Sequence, residues 1–217
     1  MYDASREANE LREQLASDKR RIAFLFGAGT SQAVGIHGIA ALTSRVPEHL
    51  EAAEKNHYER VLKDAGAAAT VVQVLDRVRL CREFIGNSSD RQAGGFEGAA
   101  AAELDRAICR AIFKLVSGDP PKGLAPHVTF ASWVRSIRRE WPIEIFTTNY
   151  DVLIERGLEA AETPHYDGFV GSVNPYFSVV TVEADLSRAY ELVYPPRSWV
   201  RVWKLHGSIG WRAHVEP

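Results

Sequence analysis

The feature that constrains this chain most is a short apolar run that ends in glycines, "RIAFLFGAGTS", at residues 21–31. Residues 21–26 have the length of a strand and are nearly all apolar, which is the pattern of a parallel strand buried on both faces. Gly27 and Gly29 then allow the backbone to turn tightly and to come close to a ligand. The run predicts a strand that passes through a glycine loop into a helix.

The remainder of the chain alternates predicted helices with short predicted strands. Further strand-like pieces stand at residues 143–148, 176–184, 190–194 and 199–207. Helices are predicted at residues 5–19, at residues 126–140 and from Asp151 onward. This order of elements predicts an α/β fold: a Rossmann-like parallel sheet with helices on both faces, in three layers.

A long segment between the first two predicted strands consists of helix-forming residues. From about residue 45 to about residue 120, apolar side chains recur at helical spacing, as at Leu104, Ile108 and Ile112. We expect a helical subdomain inserted there into a single domain that spans residues 1–217. Within it, residues 85–98 are rich in Gly, Ser, Asn and Asp, and they predict a mobile loop.

Composition and charge narrow the possible partners. The 26 basic and 28 acidic residues leave a formal net charge of −2, so there is no basic excess to hold a nucleic-acid backbone. The first residues are charged, and no run approaches the roughly 20 apolar residues of a membrane span. Cys81 and Cys109 cannot by themselves supply the four ligands of a zinc site. We expect a cytoplasmic protein that binds no metal, no nucleic acid and no membrane.

The glycine loop taken alone is compatible with two interpretations. No Gly-Lys-Ser/Thr follows it, which excludes the P-loop, and Gln32 stands where a G-x-G-x-x-G motif has its last glycine. The loop is either a tight structural turn or a place where the backbone approaches a phosphate or ribose.

Polar residues follow the second predicted strand at its carboxyl end. Thr148, Asn149 and Asp151 stand there in "TTNYD", at the position where open α/β sheets bind ligands. In the alternative interpretation, Asp151 only caps the next helix and Asn149 only makes a turn.

A histidine ends the third run in the same way. His206 precedes Gly207 and Ser208, and it falls at the same predicted edge as Gly27 and Asn149. An imidazole titrates near neutral pH and can transfer protons when it lies in a cleft, although a lone histidine is more often structural. The convergence of three ligand-type groups on one edge favours a functional site.

Three segments in this order, "GAGTSQAVGI", "TTNYDVLIE" and "KLHGSIGW", resemble the sirtuin (silent information regulator) superfamily. They are closer to its bacterial sirtuin-like NAD-hydrolase branch, of the antiphage-defence type, than to the zinc-containing protein deacetylases. The resemblance implies that NAD⁺ is bound and consumed as a substrate. It places contacts to NAD⁺ on Gly27, Ala28, Gly29, Thr30, Ser31, Thr148, Gly207 and Ser208. It also implies catalytic roles for Asn149 and Asp151 beside the scissile bond and for His206 as the base.

The sequence departs from the deacetylase pattern in several places. No cysteine follows Cys109, so the zinc module that deacetylases carry after the histidine motif is missing. Deacetylases also have Gly-Ile-Pro followed by a Phe-Arg pair, whereas this chain reads Gly35-Ile36-His37-Gly38. The sequence stops eleven residues after His206, where family members continue, and we expect the domain to be incomplete at its carboxyl terminus.

The resemblance implies an NAD⁺ glycohydrolase that releases nicotinamide and ADP-ribose, the effector of a bacterial antiphage defence that depletes NAD⁺. We expect regulation through assembly, as a homo-oligomer, with a defence-system partner protein or with an attached sensor domain. Two other functions stay open: a non-catalytic module that senses NAD or ADP-ribose, and an NAD-dependent deacylase or ADP-ribosyltransferase. The missing cysteines disfavour the last of these.

Overall fold

The computed structural model describes residues 3–86, 88, 90–183, 196 and 198–212. The chain divides into two compact units. The first comprises Met1–Thr30 and Lys122–Pro217, and the second comprises Ser31–Pro121.

The described residues alternate helices and strands. In chain order the elements are α1 (Ala4–Ala16), β1 (Ala23–Phe26), α2 (Ala28–Ala33), α3 (Ile39–Arg45), a 3-10 helix (Val46–His49), α4 (Ala52–Ala65), α5 (Val71–Ile85), β2 (Gln92–Ala93), β3 (Phe96–Glu97), α6 (Ala100–Val116), α7 (Ala125–Ser136), β4 (Glu144–Thr147), α8 (Leu153–Ala160), β5 (His165–Tyr166), β6 (Phe169–Val170), β7 (Tyr176–Phe177), α9 (Val179–Val182) and β8 (Val200–Lys204). Among the helices of the described residues, none has both the length and the apolar character needed to cross a membrane.

Four parallel strands of the first unit form one sheet in the order β1-β4-β8-β5. The register sets Phe24 beside Ile145 and Ile145 beside Val202, so these three side chains lie on one face. The connections from β1 to β4 and from β4 to β5 contain helices, as parallel pairing requires. The sheet and its helices are consistent with the predicted three-layer, Rossmann-like α/β fold.

One face of the sheet packs against α7 and α8. The apolar positions of α8 recur three and four residues apart, which gives this helix one apolar side. The buried members of the core are Ala131, Val134, Ile143, Ile145, Ile154, Leu158, Ala161, Val200 and Val202. Removing such side chains from water is the main stabilising contribution in this unit, roughly 1.5–3 kcal/mol for each large one.

β1 differs from the expectation that it is buried on both faces. Phe24 and Phe26 pack against the core, and the Phe24 ring meets the Phe130 ring edge to face, with a centroid distance of 5.2 Å. Leu25, which points to the opposite face, is 72% exposed. The prediction is wrong for this face because β1 is the outermost strand on its side of the described sheet, and no described element covers Leu25.

The second unit is helical from α3 to α6, as the composition predicts. Tyr58 of α4 is fully buried, and its hydroxyl donates to the Thr43 carbonyl oxygen at 3.0 Å. Burial raises the pKa of Tyr58 to about 12. Asp105 of α6 is buried and accepts hydrogen bonds from Arg79 Nε at 3.1 Å and from Arg82. These contacts link α5 to α6 by charge as well as by apolar packing.

Residues 85–98 contain a short hairpin, although the sequence predicts a loop. β2 and β3 pair antiparallel across Gly94 and Gly95, whose φ angles of 54° and 73° are the left-handed values of a two-residue hairpin turn. Phe96 beside this turn is buried, and its ring meets the His57 ring edge to face. The adjacent glycines between strand-forming residues are the signal that the loop prediction overlooked.

The helix predicted at residues 126–140 corresponds to α7, which ends four residues sooner. The residues beyond α7 bind the connection between α1 and β1. Arg139 Nη1 donates to the Ser17 carbonyl oxygen at 2.6 Å, and the Glu140 backbone N–H donates to the Asp18 carbonyl oxygen at 3.1 Å. These contacts replace the last predicted helical turn.

The β-rich piece predicted at residues 176–184 is only partly a strand. β7 pairs antiparallel with β6, but the chain then forms the short helix α9. Val180 in this helix is 82% exposed, so no sheet neighbour stabilises an extended conformation there. The strand predicted at 190–194 lies outside the described residues.

Gly157 allows α7 and α8 to approach each other closely. A methyl group on Gly157 would lie 2.8 Å from the Cβ atom of His127 and 2.9 Å from its carbonyl carbon, which is nearer than Cβ atoms come in real structures. The main chain of α7 therefore occupies the space that any other residue at this position would need.

We predict that Gly157→Ala destabilises the protein by about 1–3 kcal/mol, because the added methyl group must push the two helices apart. Gly29→Ala is the matched control, since Gly29 is also helical and a methyl group there meets no atom within 4 Å. Chemical denaturation of both variants measures the difference. Equal stability of Gly157→Ala and the wild type would contradict the close helix contact.

Candidate functional site

The loops that follow β1, β4 and β8 lie side by side, because these three strands are neighbours in one parallel sheet. They carry Gly27, Asn149 and His206 respectively. Parallel strands end at the same edge of a sheet, and this carboxyl edge is where open α/β sheets bind ligands. The structure thus brings the three predicted loops to one edge.

The glycines of the first loop are not required by the fold. Gly27 and Gly29 do not have left-handed φ angles, and a Cβ atom on either would meet no atom within 4 Å. Ala28 between them is exposed, as are both glycines. The absence of side chains therefore leaves bare backbone beside open space, where a ligand can come within hydrogen-bonding distance of the chain.

Asn149 holds the glycine loop in shape. Its Nδ2 atom donates to the Gly27 carbonyl oxygen at 3.0 Å and lies 3.0 Å from Thr30 Oγ1, and Thr30 Oγ1 itself donates to the Gly27 carbonyl oxygen at 2.9 Å. Asn149 is buried, and its backbone N–H donates to Thr147 Oγ1 at 3.1 Å. Thr148 N donates to the carbonyl oxygen of Phe26, the last residue of β1. The side-chain amide of Asn149 therefore does more than make a turn.

Ser31, the last predicted contact of the glycine loop, belongs to the second unit. It is buried, and its carbonyl oxygen accepts from Val34 N at 3.2 Å and from Ile36 N at 3.0 Å. These bonds complete the turn that follows α2. Within the first unit, the predicted contacts lie on three adjacent loops: Gly27, Ala28, Gly29 and Thr30 after β1, Thr148 after β4, and Gly207 and Ser208 after β8.

Asp151 is buried at the start of α8. Its Oδ1 atom accepts from the Leu153 backbone N–H at 3.1 Å. The residue at the N-cap is Val152, one position later than the prediction that Asp151 caps the helix. The carboxylate nevertheless satisfies the first amide of the helix, as a capping side chain does.

His206 lies two residues beyond the end of β8 and is exposed. The turn that carries it is held by its backbone. Gly207, with φ at 91°, directs its N–H to the Lys204 carbonyl oxygen at 3.4 Å, and Ile209 N donates to the Tyr150 carbonyl oxygen at 2.9 Å. Ser208 Oγ accepts from the backbone of the same turn. The imidazole is thus accessible to a ligand on a fixed turn beside the Asn149 loop.

Two residues of this region, Lys204 and Glu155, were not predicted from the sequence. Lys204, at the end of β8, has a side chain that is only 2% exposed, and its Nζ atom lies 3.2 Å from Glu155 Oε1. It also donates to the Asp151 carbonyl oxygen. The signal was present in the sequence, since a lysine inside an apolar strand run must find a partner when the strand is buried.

His127 of α7 is the third group that the sequence did not single out. Burial lowers the pKa of His127 below its usual 6.5, and the charge of Asp151 partly opposes that effect. Its Nδ1 atom is buried and has no hydrogen-bond partner among the described residues. This histidine is neutral at pH 7 and lies within electrostatic range of the site.

The arrangement joins bare backbone, a fixed amide, a buried carboxylate and an accessible imidazole at one edge. It suits a polar ligand with phosphate and hydroxyl groups, together with a reaction that needs a proton acceptor. Among the described residues, no group of three His, Cys, Asp or Glu side chains is placed to hold a metal ion.

Residues 143–215 match the family model of the SIR2-like domain. The matched part is about a third of the chain and includes Asn149, Asp151 and His206, whereas the glycine loop lies outside it. The match supports a relation to the sirtuin-like superfamily and, at that level, a use of NAD. A search of curated proteins found no significant match.

We predict that His127 makes stability depend on pH. The unfolded chain takes up a proton on this histidine near pH 6.5, whereas the folded chain does so only at lower pH because burial lowers the pKa. The contribution to stability is therefore present above pH 6.5 and is lost as the pH falls towards the folded pKa. The wild type should lose unfolding free energy between pH 7.5 and pH 5 as this histidine is protonated in the unfolded chain. His127→Gln should lose less over the same range, because it removes the titrating group.

Urea denaturation at several pH values measures this difference. His57, whose pKa is also lowered by burial, provides a comparison in the second unit. An unchanged pH dependence in His127→Gln would show that burial of this ring does not disfavour its protonation.

Proposed function

We propose that this protein hydrolyses NAD⁺ at the bond between nicotinamide and ribose, releasing nicotinamide and ADP-ribose. The observation that carries the proposal is the meeting of the glycine loop, Asn149 and His206 at the carboxyl edge of three adjacent parallel strands. The SIR2-like match of residues 143–215 supports the use of NAD.

The glycine loop fits the binding of a dinucleotide. Side chains at Gly27 and Gly29 would occupy the open space beside the backbone, although the fold itself would accept them. Phosphate and ribose oxygens accept hydrogen bonds from exposed backbone N–H groups, which such a loop offers. We assign NAD⁺ contacts to this loop with Thr30, to Thr148, and to Gly207 and Ser208 on the turn after β8.

The chemistry needs a water molecule, a proton acceptor and a stabilised cation. As the bond breaks, its electron pair leaves with the nicotinamide nitrogen, and the ribose carbon becomes oxocarbenium-like. We assign to Asn149 the orientation of the water or the ribose, and to the buried carboxylate of Asp151 the stabilisation of the developing positive charge. His206 acts as the base, either towards the water or towards a ribose hydroxyl. Nicotinamide departs as a neutral molecule and requires no acid.

Residues whose side chains serve the reaction should be separable from residues that serve the fold. We predict that His206→Ala lowers nicotinamide release about a hundredfold or more, as loss of a general base does, while the melting temperature is unchanged because the ring is exposed. His49→Ala, which removes an exposed histidine of the second unit, is the matched control.

Release of nicotinamide is measured by chromatography with the purified protein and its variants. Full activity of both His206→Ala and Asn149→Ala would refute the assignment of the site. Saturable NAD⁺ binding without release, in every form, would instead favour a sensing module. Release that depends on an acyl-lysine or a protein acceptor would favour a deacylase or ADP-ribosyltransferase.

We predict that Gly27→Ala and Gly29→Ala weaken NAD⁺ binding roughly tenfold or more, because a methyl group would enter the space that the dinucleotide needs. The fold should be retained, since neither methyl group meets protein atoms. Gly118→Ala, another position where a Cβ atom meets nothing within 4 Å, is the control. Calorimetric titration with NAD⁺ compares the three variants, and equal affinity in all of them would place the dinucleotide elsewhere.

We propose an antiphage role with a partner protein because of the family resemblance, and a cytoplasmic location because of the composition. An exposed hydrolase of NAD⁺ would harm its own cell if it were always active. We therefore propose that assembly controls this activity, and comparison of the specific activities of separated monomer and oligomer tests it.

A further inference from the structure

We propose that Lys204 is a positioning residue: its buried ammonium group fixes the loop that carries Asn149 and Asp151 to the strand that carries His206. This inference rests on the proposed function, because it concerns the same site. Lys204 does not have to touch the substrate for this role.

The contacts of Lys204 join two loops of the sheet edge. Its ammonium group donates to the Asp151 carbonyl oxygen in the connection from β4 to α8. It also pairs with Glu155 in the first turn of α8, at 3.2 Å. Only Leu205 stands between Lys204 and His206, so one side chain couples the position of the Asp151 backbone to that of the proposed base.

Backbone contacts alone leave that connection less constrained. Leu205 N donates to the Thr147 carbonyl oxygen and Ile209 N to the Tyr150 carbonyl oxygen, each at 2.9 Å. The bond from Lys204 adds a contact at the Asp151 backbone, between Tyr150 and the first turn of α8. Its loss would remove one of the contacts that hold this stretch of backbone.

Stability alone does not explain a charged residue at this position. The Lys204 side chain is 2% exposed and that of Glu155 is 14% exposed, and buried ion pairs of this kind are often replaced by apolar residues without loss of stability. An apolar residue cannot, however, donate a hydrogen bond to the Asp151 carbonyl oxygen. The carboxylate of Glu155, 3.2 Å from Lys204 Nζ, balances the charge of the side chain that supplies this donor.

A double variant separates positioning from charge balance. Lys204→Met keeps the length of the side chain but removes the donor, and it leaves Glu155 without its cationic partner, so this variant should be destabilised. Glu155 Oε2 already lacks a partner among the described residues. Lys204→Met with Glu155→Gln removes the stranded charge and should regain most of the lost melting temperature.

Turnover should not recover with stability. We expect the double variant to release nicotinamide roughly tenfold to a hundredfold more slowly than the wild type at saturating NAD⁺, because the catalytic groups are misplaced, with little change in KM. Glu155→Gln alone retains the bond to Asp151 and should keep most of the activity. A double variant that recovers both stability and turnover would overturn the proposal.

Hydrogen exchange provides a second measurement that does not depend on activity. The backbone amides of residues 149–153 should exchange faster in both Lys204→Met variants than in the wild type and in Glu155→Gln. Equal exchange in all four proteins would overturn the positioning role. If the wild type releases no nicotinamide, the proposed function fails, whereas the exchange comparison still decides whether Lys204 fixes the loop.

Discussion

The site depends on the parallel register that ends three neighbouring strands in one row. Phe26, Thr147 and Lys204 are register partners, so the residues that follow each strand start at the same level of the sheet. A slip of one residue would turn Ile145 and Val202 from the apolar core to the other face. The packing of the core thereby brings the three loops to one level, and the contacts of Asn149 and Lys204 then hold them there.

Polar groups at this edge are buried and satisfy one another. Thr147, Asn149, Asp151 and Lys204 are all buried, and hydrogen bonds run from the Asn149 backbone to the Thr147 hydroxyl and from the Lys204 ammonium group to the Asp151 carbonyl oxygen. A buried polar group without a partner would be costly, so each of these side chains has few alternative positions. The same burial that demands the hydrogen bonds gives the edge its rigidity, while His206 stays exposed on top of it.

The sequence was sufficient for β1, β4 and β8 and for the adjacency of the loops after them, because apolar runs of strand length are local signals, whereas the two-residue strand β5 was not predicted. The bond from Asn149 to Gly27 was beyond it, since these residues are 122 positions apart and meet only when β1 and β4 pair. Lys204 was overlooked because its contacts with Asp151 and Glu155 likewise form only when β4 and β8 pair. The early end of α7 has the same origin, since Arg139 binds the distant Ser17.

The first unit is discontinuous in sequence, and this bears on the order in which the protein can fold. Ala23 of β1 pairs with Glu144 of β4, and the whole of the second unit is made between them. During synthesis β1 has no partner strand until β4 leaves the ribosome, whereas the second unit is continuous and can complete its contacts first. Long-range strand pairing is slow because a long loop must close. Among the strands of the described sheet, β1 with its exposed Leu25 therefore waits longest for a partner, and it is open to aggregation during that time.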